Sequence, residues 1–330
     1  MSLATSLAHK LLSRLNPVKA QQLLSDNLDW ATTLGWTADI TRIPQEDPVR
    51  VMGLRFPNRI GLAAGFDRTG AAVSALGSFG FGHVEVGTVR PAAFIPAKPR
   101  RIRRIDKEQA VIKHGEAAGI GLDAAARNLK SAQAYALRGG ILGLSLAAED
   151  LDAETFLKAA PLADYLAICG IRTAPQHLLT LLKSLPDWKA RAAKAGVKAT
   201  PVALKLSPDL PESELFALLD AAASAADALI LAGSTDTGAA DGVELAAGER
   251  LSGAPISERA LALLEKSADH LNGALPIIAS GGVLTEEDCI ARLEAGASLV
   301  QIFSGLVFNG PLFVADCVDA AARWAQDSVR

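Results

Sequence analysis

Two stretches of small residues carry the clearest chemical signal in the chain: Ser280-Gly281-Gly282 and Ser304-Gly305, each closing an apolar run. Glycine lets backbone N–H groups approach an anion with no Cβ in the way, and a serine hydroxyl adds a donor at the same place. Together they make the kind of cradle that holds a phosphate. The competing use of these glycines is as tight turns. A second feature is Lys205 in VALKLSP, which strand alternation sets on the side opposite Val202, Leu204 and Leu206. A lysine turned into a protein interior needs an anionic or electron-rich partner. Its place near the strand end favours a ligand over an ion pair with Glu85, which alternation turns inward on HVEVGTV. A third stretch, YLAICGIRTAP, ends an apolar run in a proline-closed loop and offers Cys169, Arg172 and Thr173. None of the three is an obvious base.

The elements that must position these groups follow from periodicity. Short apolar runs recur at IGLAAG (60–65), HVEVGTV (83–89), ILGLSLA (141–147), YLAICGI (165–171), VALKLSP (202–208), ALILAGS (228–234), PIIASGG (276–282) and LVQIFSG (299–305). Between them lie Ala- and Leu-rich segments of helical period, such as ESELFALLDAAASAA and TEEDCIARLEAGA. Eight such β/α units predict a (β/α)₈ TIM barrel over residues 46–330, which opens with a strand hairpin at VRVMGLRF. A doubly wound open sheet is the alternative. Residues 1–45 differ: Leu3, Leu7, Leu11, Leu12 and Leu15, then a break at Asn16-Pro17, then Leu23, Leu24, Leu28 and Trp30 read as a helical hairpin. Its apolar face packs on the barrel or dips into a membrane surface.

Bulk properties remove several function classes. The net charge of −3 leaves no global field to attract nucleic acid. The run Arg100, Arg101, Arg103, Arg104 reads as a solvated loop or rim rather than a polyanion site. Cys169, Cys289 and Cys317 lack metal-ligand spacing, so neither zinc nor a disulfide framework is expected, and a reducing cytoplasm fits. No secretory signal or membrane-spanning run is visible in the sequence.

Taken together, PVRVMGLRFPNRIGLAAGFDRTG, ALGSFGFGHVEVGTVRP, KPRRIRR, LKLSPDL, RLSGAPI, PIIASGGV and GASLVQIFSGLVFNGP resemble the class 2 dihydroorotate dehydrogenases. These are the quinone-linked, FMN-dependent enzymes of pyrimidine synthesis, and the resemblance runs from about residue 8 to 315. It implies FMN at the C-terminal rim of the barrel and N-terminal helices that sit at a membrane and form a quinone tunnel. Residue by residue it implies that Ala63, Ala64 and Gly65 pack on the flavin ring, with Thr88, Ser145 and Lys205 beside it. Gly253, Gly281, Gly282, Ser304 and Gly305 would hold the phosphate, with Phe303 in place of the usual tyrosine.

The substrate half departs from the family pattern. Its loop NRMGFNN corresponds to KHGEAAG, beginning at Lys113, and its strand tip NISSPNTPG to CGIRTAPQH. Arg68 stands for a lysine, Ser145 for an asparagine, and Gly233 and Ser234 for an asparagine and a threonine. In that family a serine takes the C5 proton of dihydroorotate while hydride leaves C6 for flavin N5; the matching residue here is Arg172. A guanidinium keeps its proton across the accessible pH range and accepts none. Cys169 is expected to be an inert thiol buried in the strand, and His114 and His177, the remaining conceivable bases, read as loop histidines.

Three expectations result. In the first, a dihydroorotate dehydrogenase-like protein keeps the FMN cradle and has lost ordinary dihydroorotate oxidation, being inactive or repurposed. In the second, an active FMN-dependent oxidoreductase takes dihydroorotate or a related anion in a pocket made cationic by Arg68, Lys113, Arg172 and Lys205, with Ser234 beside them. In the third, a silent scaffold uses the space left by Ala147, Ala148 and Gly233. The expected partners are a small anionic or phosphate-bearing ligand and a quinone, with no metal. The expected location is the cytoplasm, peripherally at the inner face of a membrane through residues 1–45.

Overall fold

The computed structural model describes Arg42 and residues 44–98, 100–237 and 243–328. The expected helical hairpin lies almost entirely outside these residues. The strands are β1 (Val49–Val51), β2 (Leu54–Phe56), β3 (Ile60–Leu62), β4 (His83–Val89), β5 (Arg101–Ile105), β6 (Ala110–His114) and β7 (Ile141–Ala147). They continue as β8 (Tyr165–Cys169), β9 (Val202–Leu206), β10 (Ala228–Leu231), β11 (Glu249–Gly253), β12 (Ile277–Ser280) and β13 (Ala297–Ile302). The helices are α1 (Val73–Gly77), α2 (Leu122–Leu129), α3 (Gln133–Leu137), α4 (Ala153–Ala159) and α5 (Pro175–Lys194). They continue as α6 (Glu212–Ala225), α7 (Ser257–Leu271), α8 (Glu286–Glu294), α9 (Ser304–Asn309) and α10 (Leu312–Ser328).

Strands β3, β4, β7, β8, β9, β10, β12 and β13 close in that order into a parallel barrel. All eight expected runs are barrel strands, so the chain is a (β/α)₈ barrel. Alternation divides each strand as a barrel requires. Val84, Val86, Leu144, Leu146, Leu166, Ile168, Leu204 and Leu206 pack outward on the helices. Tyr165, Ala167, Ala203, Ala228, Ile230, Ile278 and Leu299 fill the interior. The β1–β2 hairpin closes the floor, its turn at Met52 (φ 42) and Gly53 (φ 79) matching a two-residue hairpin loop, and Val51 and Phe56 join the inner cluster.

Two features of the crossovers position the site. Helix α5 begins at Pro175, a residue preorganised for a helix start, so the chain leaving β8 turns sharply at the barrel mouth. Helix α8 is fixed by a capping box in which the Thr285 hydroxyl accepts from Asp288 N–H and the Asp288 carboxylate accepts from Thr285 N–H.

The sequence reading missed the antiparallel sheet β5–β6–β11, which stands over the barrel mouth as insertions after β4 and β10. It also misassigned part of the arginine run. Arg101 and Arg103 are exposed on β5, whereas Arg100 turns into a cavity beneath the sheet, because the ladder alternates the faces of successive residues. Among the described residues no helix is long and apolar enough to cross a membrane.

Candidate functional site

One polar layer of the barrel interior balances its charge from within, although His83 Nδ1 and Gln301 Oε1 find no partner among the described residues. Lys205 Nζ lies 2.9 Å from Glu85 Oε1, with both side chains buried. Gln301 Nε2 donates to Glu85 Oε2 at 2.7 Å, and Tyr165 OH donates to the same oxygen at 3.3 Å. His83 stacks edge-on against Phe56 and Tyr165, and burial lowers its pKa to about 4, so it is neutral at physiological pH. The ion pair that the sequence reading placed second for Lys205 is therefore formed.

Above this layer, between the strand ends and the β5–β6–β11 sheet, lies a cavity of about 210 Å³. Its wall includes Ala64 and Gly65 after β3, Thr88 on β4, Lys113 on β6, Cys169 on β8, and Arg250 and Ser252 on β11. Arg68, Arg90, Arg100 and Arg172 add four guanidinium groups. Such a concentration of cations is compatible with folding only where carboxylates or ligands answer it.

Some of the cations are answered from within the chain. Arg250 reaches Asp236 at 3.0 Å and Asp209 at 3.7 Å, and donates to the Ser234 carbonyl at 3.1 Å. Arg172 pairs with Glu116 at 3.0 Å, and Arg90 with Glu149 and Asp150 at 3.2 Å each. Glu116 and Glu149 thus pair with the basic rim. The remaining cations are held differently. The buried Nε atoms of Arg68 and Arg100, and that of Arg250 as well, have no hydrogen-bond partner among the described residues. Burial, and then its neighbours Arg68 and Arg172, pull the Arg100 pKa down to about 10.

Lys113 is half-buried, its exposure being to the cavity, and its Nζ lies 3.6 Å from the centre of the Phe303 ring. The ring face favours the ammonium form by roughly 0.5–2 kcal/mol, about one pKa unit. Desolvation outweighs this, reinforced by Arg100, Arg68, Arg250 and Lys205, so the Lys113 pKa is held well below the usual lysine range.

The residues expected from the sequence divide between the cavity and its surroundings. Ala64, Gly65, Arg68, Thr88, Lys113, Arg172 and Ser234 come together around the cavity. Ser145 lies below it, fully buried, 3.2 Å from the Thr88 hydroxyl. Ala63, Lys205, Gly253, Gly281, Gly282, Ser304 and Gly305 are outside its wall. Gly281 (φ 109) and Gly282 (φ 64) adopt backbone conformations closed to most side chains, and a Cβ on Gly233 would stand 2.5 Å from Gly281 Cα. Gly233 is therefore the residue that lets the ends of β10 and β12 approach, and it leaves no pocket of its own.

Two expectations need correction. Cys169 is not sealed in the strand: as the last residue of β8, with inward parity, it is half-exposed on the cavity wall. Arg100, read as solvated, belongs to the same wall. His177 lies 3.2 Å from the Ala148 carbonyl through its Nε2, at the foot of α5. Arg250 and Ser252 were not singled out at all, although they immediately precede the flagged Gly253 and occupy alternate positions on one strand face.

A family model described as "Dihydroorotate dehydrogenase" matches residues 48–322. A protein of Teredinibacter turnerae named dihydroorotate dehydrogenase (quinone) is 34% identical over 338 residues, covering 96% of this chain and 98% of its own. One from Neisseria meningitidis with the same name is 32% identical over 348 residues, covering 98% and 99%. Among solved structures, the dihydroorotate dehydrogenase of Eimeria tenella in complex with ferulenol superposes with a TM-score of 0.80 at 25% identity, covering 93% of this chain and 92% of that one.

Proposed function

Because the chain belongs to the dihydroorotate dehydrogenase family, we propose that it is an active FMN-dependent oxidoreductase that takes dihydroorotate or a closely related small carboxylate and passes electrons to a quinone. The observation that carries this reading is the cavity with three buried guanidinium Nε atoms, those of Arg68, Arg100 and Arg250, that no group among the described residues satisfies. A buried donor without a partner is costly, and a bound carboxylate removes that cost through charge-assisted bonds. The expectation of an inactive member gains no support from relatives named for the activity at 32–34% identity over nearly the whole chain.

FMN is the cofactor of this family. The residues present fit it. The positive φ angles at Gly281 and Gly282 and the opening N–H groups of α9 offer the backbone donors that suit a phosphate. Ala64 and Gly65 present backbone beside the cavity. We assign the phosphate to Gly253, Gly281, Gly282, Ser304 and Gly305, and the ring to Ala63, Ala64, Gly65, Thr88, Ser145 and Lys205. When bound, FMN supplies a two-electron acceptor. The protein's own contribution is to orient the substrate and to exclude water. Arg68 and Arg100 take the substrate carboxylate, Ser234 and Ser252 line the opposite wall, and the Arg172–Glu116 pair ties the loop after β8 to the loop after β6 across the mouth.

The quinone is the partner named for the relatives, and peripheral membrane contact through residues 1–45 completes the proposal. The test is steady-state reduction of a soluble quinone by dihydroorotate, using the full chain with and without added FMN. Turnover that depends on FMN is expected. An FMN-loaded protein inert toward dihydroorotate and other small cyclic carboxylates would contradict the reading.

A further inference from the structure

The proposed oxidation breaks a C–H bond next to a carbonyl, so a base must receive that proton, and Arg172 cannot do so. We propose that Lys113, which projects from β6 into the wall of the cavity, is the general base of this protein; this rests on the oxidoreductase reading above. The position is set by the β5–β6–β11 sheet, in which Lys113 is flanked by Ile102 on one side and Arg250 on the other. The sheet holds the side chain over the Phe303 ring and in the wall of the same cavity as Arg68 and Arg100.

Burial, and then the surrounding cations, shift Lys113 toward its neutral form, the form that can take a proton. Arg68 from the loop after β3, Arg100 ahead of β5, Arg250 on β11 and Lys205 on β9 all oppose a charge on Lys113. The acids nearby are engaged elsewhere: Glu116 with Arg172, and Asp209 and Asp236 with Arg250. Lysines placed this way, desolvated beside other cations, are the ones that serve as bases near neutral pH.

In the step itself the C5–H bond of dihydroorotate breaks and its proton passes to Lys113 Nζ. The electron pair left on C5 would form the C5–C6 double bond as C6 gives up hydride, for which FMN, when bound, would be the two-electron acceptor. The ammonium so formed releases its proton to solvent before the next cycle. Arg68 and Arg100, by neutralising the substrate carboxylate, keep its negative charge from stabilising the ammonium form of Lys113 in advance. Cys169 is the rival candidate, since it shares the wall.

Two measurements on the full chain test this. The first is competitive acylation across a pH series, with acetic anhydride and peptide mass spectrometry reading each lysine. The pH midpoint for Lys113 is expected at least one unit below that of the exposed lysines, and a coincident midpoint overturns the proposal. It needs neither cofactor nor turnover, so it stands apart from any failure of the oxidoreductase reading. The second is anaerobic reduction of the FMN-loaded protein by dihydroorotate in the Lys113→Met and Lys113→Ala variants. A loss of about 10²–10⁴-fold is expected, with partial rescue of Lys113→Ala by small alkylamines and orotate binding retained. Full activity in Lys113→Met, or loss in Cys169→Ser with no loss in Lys113→Met, overturns it. Should Lys113→Met fail to fold, Lys113→Gln carries the same prediction.

Discussion

The barrel interior and the rim cavity bury charge under opposite rules. Inside, Glu85 is matched by Lys205, Gln301 and Tyr165 within one layer. At the rim, in the loop after β3 and the β5–β6–β11 sheet, Arg68, Arg100 and Arg250 keep buried Nε atoms without partners among the described residues, and Lys113 faces an aromatic ring instead of a carboxylate. The interior layer answers its carboxylate from within the chain, whereas the cations of the rim are left for something that binds. Removing a partner should therefore destabilise the interior, and removing a cation should relieve the free rim while weakening its ligand.

The largest effect is expected from Lys205→Met, which leaves the Glu85 carboxylate buried and uncompensated. Unfolding stability should drop by about 3–5 kcal/mol in urea titration. A drop under about 1 kcal/mol would show that the interior layer is not the charge-balanced unit described. Next comes pH. His83 is neutral in the fold, with its pKa lowered to about 4 from 6.5, so its contribution is complete above pH 6.5 and is lost as pH falls towards 4. Over that window stability should fall by about 3 kcal/mol from this group, and His83→Phe should flatten the slope.

At the rim the sign reverses. Arg68→Ala should leave the stability of the free protein unchanged or raised, while orotate affinity falls about 10–150-fold, corresponding to roughly 1.5–3 kcal/mol for a charge-assisted bond. Equal loss of stability and affinity would erase the contrast between the two regions. The smallest effect belongs to Glu116→Gln, which breaks the half-exposed pair with Arg172. Stability should change by less than about 1 kcal/mol, with whatever kinetic change there is confined to substrate entry and release.

Much of this was legible in the chain, because barrel strands announce themselves locally. Each of the eight runs is largely apolar and most end in small residues, and parity along the strands turns Glu85 and Lys205 inward. The sheet over the mouth was not legible. RIRRI reads as charged and solvated, and β11, which pairs with β6, lies more than a hundred residues further along the chain, so no local pattern shows the ladder. Cys169 was misjudged for a related reason: strand character was visible, but the strand's last residue is where the wall of the cavity begins. Lys113 stood out as a departure from the family motif. That it is a buried amine among cations depends on Arg68, Arg100, Arg250 and Lys205 converging from separate elements, which only the folded chain supplies.

The measurement that bears most directly on the account is anaerobic addition of dihydroorotate to the FMN-loaded full chain, following the visible flavin band. Bleaching that saturates with substrate, and that needs far more substrate in Arg68→Ala, is the predicted result. A protein that takes up FMN yet keeps its band unchanged at every dihydroorotate concentration would contradict it.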